Sequence, residues 1–125
     1  MFKAVSAFLL VLFSSSNAFA QENKVFDTKF FLASAYLVDA TIFDMESTYA
    51  GLKNCSDCFE TNQILEPFIN KGRPAAYLFQ GAINGLVIYE SYYLKKRGSK
   101  FWWLGPVALG SIHAVAGGFN LRFVF

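Results

Sequence analysis

Acids, amides and the only histidine of this chain recur inside long apolar blocks, and that setting decides what chemistry they could do. Asp39, Asp44 and Glu46 fall in residues 30–49, Gln80 and Asn84 in residues 75–94, and His113 and Asn120 in residues 102–121. A helix returns to nearly the same face after seven residues, so Asp39 is expected to pair with Glu46 and His113 with Asn120. Gln80 and Asn84, four apart, form a third polar stripe that Ser91 extends. Three helices with one stripe each imply a shared polar interior. Carboxylates, an imidazole and amides at that depth could bind a divalent cation, relay protons around His113, or hold a polar substrate. The plainer reading is that they hydrogen-bond across helices and specify packing, with Asp44 and Glu46 at the headgroups. No organic cofactor is implied. If a metal binds, a hard or borderline divalent ion suits these oxygen and imidazole ligands.

Cys55-Ser56-Asp57-Cys58 is the only cysteine pair. Its spacing suits a redox dithiol, half a zinc site or a short disulfide loop. No second pair and no nearby histidine support zinc, and no strand-helix pattern supports a thioredoxin-like site. A structural disulfide leads if the loop lies in an oxidising compartment. Other catalytic signatures are missing: there is no Gly-rich phosphate loop, G-x-S-x-G elbow or H-E-x-x-H. A net charge of +2 with dispersed basic residues leaves no broad footprint for nucleic acid.

The elements that must position these groups read as membrane helices. With 54% hydrophobic and 16% charged residues, the chain is greasier than an ordinary soluble domain, and its apolar residues are concentrated in blocks. Residues 1–20 have the form of a cleavable signal peptide: Lys3, an apolar run over residues 4–13, then Ala18-Phe19-Ala20. Residues 21–125 then form a single all-α membrane domain whose mature N-terminus starts outside. Residues 75–94 and 102–121 are each long enough to span about 30 Å of hydrocarbon. Between them Lys95, Lys96, Arg97 and Lys100 lie among Tyr92, Tyr93, Phe101, Trp102 and Trp103, as at a bilayer interface. Residues 30–49 are harder, because a central Asp costs about 2.5–3.5 kcal/mol on insertion: they are either a third span or a segment that lies on or dips into the outer face. Three spans with the N-terminus outside would place the basic cluster outside, against the positive-inside tendency; a hairpin alone would place it inside. Residues 51–74 form a polar loop with a short interfacial helix broken near Pro67.

Small residues at four-residue spacing, Gly81 with Gly85 and Gly110 with Ala114 and Gly118, with Gly117 alongside, allow close helix packing in lipid. Packing within the chain is favoured over a homo-oligomer face or a membrane partner.

Asp39 or Asp44 ahead of Ser47-Thr48, then Gly51, then Glu60-Thr61-Asn62, followed by two spans, resembles a family of small bacterial polytopic membrane proteins of unknown function with a D…[ST]-T…E-x-N-P pattern. Gln63 stands where that pattern has Pro. The resemblance covers residues 36–121 and implies an inner-membrane location. It also makes Glu60 and Asn62 candidates for the polar site of Asp39; otherwise they belong to a capped, solvated loop. Function is then expected to be that of a non-enzymatic structural or accessory membrane component, the alternative being an ion-binding or proton-coupled protein.

Overall fold

The structure, a computed structural model, describes residues 25–60 and 62–125; the signal-peptide expectation for residues 1–20 lies outside them. These residues are all-helical, with α1 Thr28–Asn54, α2 Glu66–Lys71, α3 Arg73–Lys96, α4 Leu104–Asn120 and a closing 3-10 turn Leu121–Phe123. Asp27 starts α1 by accepting the Phe30 N–H at 2.9 Å, which satisfies one of the orphan donors of the first turn. At its far end α1 runs into an extended Cys55, where the four-residue disulfide loop begins. Proline does not break α2. Pro67 sits in its first turn, where the missing N–H costs nothing. Gly72, at φ 108°, joins α2 to α3 in a backbone conformation that a side chain would strain, and Pro74 then opens α3.

The long helices run up, down and up. Along α1, Leu37 meets Gly110, Asp44 meets Gly117 and Gly51 meets Phe123, so α4 is parallel to α1. Thr41 bonds Asn84 while Asp27 bonds Lys95, so α3 is antiparallel to it. One end therefore carries the start of α1 and the basic α3–α4 connection. The other carries the disulfide loop, α2 and the last residues.

At the basic end aromatic rings interlock, Phe26 stacking on Tyr92 with centroids 5.2 Å apart and Lys95 Nζ lying 4.2 Å from the Trp102 ring centre. At the disulfide end a small apolar cluster forms from Met45, Leu65, Ile69 and Ala76, with Phe68 stacked on Phe79 beside it. Between the ends the usual order is inverted. Thr41, Asp44, Ser47, Thr48, Gln80, Asn84, Ser91 and His113 are buried. Leu32, Phe43, Leu78, Leu86, Ile112 and Val115 are exposed. A soluble domain buries the second set and solvates the first.

The expected spans shift at their ends: α1 begins two residues earlier and continues five residues past 49, absorbing the start of the expected polar loop. Only one helical stretch among the described residues, Leu104–Phe123, is apolar and long enough to cross a membrane by length and composition alone. Residues 75–94 fall short of that measure, because Gln80, Asn84, Glu90 and several tyrosines dilute them.

The glycine faces need a correction. Gly110 packs against the Tyr36 ring and the Leu37 backbone, and Gly117 against Phe43 and the Asp44 backbone, where an added Cβ would lie 2.5 Å from the ring. Seven-residue spacing, 110 and 117, therefore makes the contact. Gly118, Gly81 and Gly85 face open space, and Ala114 is half-buried off the line of closest approach. The physical reason is register: the parallel partner tracks one side of α4, to which position 117 returns after two turns and 118 does not.

Candidate functional site

Asp44 is the centre of the polar interior. It projects from the α1 face that carries Leu37, Thr41, Ser47 and Thr48, one helical stripe turned towards α4. His113 Nδ1 lies 2.7 Å from Asp44 Oδ2, with both side chains nearly fully buried. Asn120, two turns along α4 from His113, donates its Nδ2 to Asp44 Oδ1 at 3.2 Å and to Thr48 Oγ1 at 2.8 Å, with Ser47 Oγ at 3.4 Å. Gly117 lies on the same stripe, and its lack of a side chain lets α4 approach closely enough for these bonds. The carboxylate thus accepts from an imidazole and an amide, which offsets the desolvation that an isolated buried charge would suffer.

A cavity of about 700 Å³ opens from this network towards the disulfide end. Asp44, His113, Asn120 and Gln80 border its inner part, while Asp57, Cys58, Phe59, Glu60 and Arg122 stand nearer its mouth. Gln80 is 5% exposed, yet its amide has no hydrogen-bond partner among the described residues, and nothing accepts from or donates to His113 Nε2. Among the described residues no three His, Cys, Asp or Glu side chains converge as metal ligands do.

The expected pairing of Asp39 with Glu46 is corrected. The two do share a face, but it looks outward, about half a turn from Asp44. Glu46 leaves the interior to accept from Arg73 Nη1, with its oxygens at 2.7 and 2.6 Å, and from the Tyr77 hydroxyl at 2.6 Å. Asp39 is half-buried and has no partner among the described residues. Asn84 bonds Thr41, Nδ2 to Oγ1 at 3.0 Å, one level from Asp44 and outside the cavity's polar floor. His113 and Asn120 share a network as their spacing implied.

Cys55 and Cys58 form a disulfide. Glu60 and Asn62 both border the cavity mouth, where Glu60 Oε1 accepts the Asn62 N–H and Asn62 Oδ1 accepts the Ile64 N–H, a capped turn leading into α2. They approach the site of Asp44, not of Asp39.

Several participants carry no strong signal in the sequence. Ser47 and Thr48 are common in helices of any kind, although their spacing of three and four from Asp44 marks the same stripe. Arg73 and Tyr77 needed the fold to reach Glu46. At the basic end, burial by itself would raise the Asp27 carboxyl. The Lys95 ammonium and the Phe30 N–H outweigh it, so Asp27 sits below the usual carboxylate range.

No family model, curated protein or solved structure matches this chain, so its function is read from these side chains and their surroundings.

Proposed function

We propose that this chain is a non-enzymatic integral membrane component whose three long helices all cross the bilayer. The inverted burial carries the reading: exposed Leu, Ile, Val and Phe suit lipid, and inward Asp44, His113, Asn84 and Gln80 satisfy one another or line a cavity. Part of the low hydropathy of α1 and α3 comes from residues that face inward, Thr41, Asp44, Ser47 and Thr48 on α1 and Gln80, Asn84 and Ser91 on α3. Asp39 stands out, because it lies in the middle of its helix while the exposed Glu90 lies towards the basic end of α3. An outward carboxyl without a partner at mid-helix calls for a neighbouring protein, which favours an accessory subunit.

Orientation follows from the two ends. Lys95, Lys96, Arg97 and Lys100 favour the cytoplasmic side, and the Cys55–Cys58 disulfide favours an oxidising one. With three spans both demands are met when α1 starts inside, in a bacterial inner membrane. This departs from the expectation that the mature N-terminus starts outside.

A proton-coupled role is the second reading, favoured by the buried Asp44–His113 pair at the cavity floor. Alkaline extraction of membranes tests the placement; release into the soluble fraction would refute it. Single cysteines at Thr28, Asn54 and Ser99, with Cys55→Ser and Cys58→Ser, test the topology. Thr28 and Ser99 should label from inside and Asn54 from outside. Labelling of Thr28 together with Asn54 would mean that α1 does not cross.

A further inference from the structure

We propose that the cavity at the disulfide end binds a small organic ammonium ion with an apolar body. This goes beyond the membrane role and does not depend on it.

The floor is short of donors. In the neutral tautomer whose Nδ1–H donates a hydrogen bond to the Asp44 carboxylate, the His113 Nε2 lone pair stands beside the cavity with no donor to accept from. The Gln80 amide, buried and without a partner among the described residues, borders the same space and can turn its carbonyl oxygen towards a bound cation. The amide atoms keep access to the cavity, so a molecule bound there can complete their hydrogen bonds.

Charge and shape add to this. Asp44, Asp57 and Glu60 border the cavity against Arg122, the single fixed cation there among the described residues, whose guanidinium already lies 4.6 Å from the Phe123 ring centre. Phe59 and Phe119 contribute further aromatic surface, which an ammonium group meets favourably and an anion does not. A bare metal ion is poorly served, since no three ligating side chains converge among the described residues. An ammonium needs only two or three acceptors and an apolar wall, and about 700 Å³ is ample for one.

Calorimetric titration of the full chain in mild detergent, with protein-free micelles as blank, tests the proposal using benzylammonium, benzyl alcohol and benzoate. Benzylammonium should bind at least about tenfold more tightly than either of the others, and added salt should weaken it. Gln80→Leu removes no internal hydrogen bond, so the variant should melt at or above the parent temperature while losing about tenfold or more in benzylammonium affinity. Asp57→Asn combined with Glu60→Gln, both at the mouth, should weaken binding about threefold and flatten the salt dependence. Absence of benzylammonium binding, equal binding of the alcohol or benzoate, or unchanged affinity in Gln80→Leu would each overturn the site. Membrane extraction is unaffected by any of these results, so failure here and failure of the membrane reading are separately visible.

Discussion

α1 has two long neighbours and meets them differently. Against α4 the backbones touch: Gly110 and Gly117 admit the rings of Tyr36 and Phe43, and the polar contacts that result centre on a carboxylate. Against α3 the contact is looser. Thr41 and Asn84 share a neutral hydrogen bond, Gln80 has no partner among the described residues, and a second, mostly apolar cavity of about 390 Å³ lies beside them. α3 has its own glycine pair, but Gly81 only borders that cavity and Gly85 faces open space, so its side chains hold the helices apart where α4 lets them meet. Small-residue spacing allows close packing, and only the register decides whether a partner uses it.

Four measurements of apparent stability in detergent would sharpen or break that contrast. The largest effect is expected for Asp44→Leu, which strands His113 and takes one of three acceptors from Asn120, and should cost about 3–5 kcal/mol, with Asp44→Leu/His113→Leu recovering part of the loss. If the double variant is no better than the single, the pair is not a coupled unit. Gly117→Leu should cost about 2–3 kcal/mol by forcing α4 off Phe43 and the Asp44 backbone. The matching Gly81→Leu should stay within about 0.5 kcal/mol, and a comparable loss there would mean that the outward glycine face is covered. On the looser seam Thr41→Val removes two neutral hydrogen bonds, the one from Asn84 and the one to the Leu37 carbonyl, and should cost about 1–2 kcal/mol.

The smallest effect belongs to the basic end. Asp27 is half-exposed, so its pairing with Lys95 is screened and worth about 0.5 kcal/mol. Its folded value is depressed, so this contribution is present above the ordinary carboxylate range and disappears as pH falls through the lower folded value. Acid melts of the parent and Asp27→Asn should therefore converge below about pH 4. Curves that stay equally far apart at every pH would remove the pairing from the account.

Composition and the blocking of apolar residues were enough to read an all-helical chain with two clear long helices and a harder third. The same is true of His113 with Asn120, since seven-residue spacing on one helix is a local property that needs no partner. Sequence patterns name which residues share a stripe, but a stripe has no direction until another helix is placed beside it. Asp39 with Glu46 and Asp44 with Thr48 are equally coherent faces of α1, about half a turn apart, and the parallel approach of α4 selected the second. Likewise the glycines at 110, 117 and 118 are equivalent in composition, and contact geometry separated them. The cavity is a property of the assembly alone. It arises where the parallel and antiparallel helices diverge beneath the disulfide loop, bringing Gln80, His113 and Glu60 to one space from distant parts of the chain.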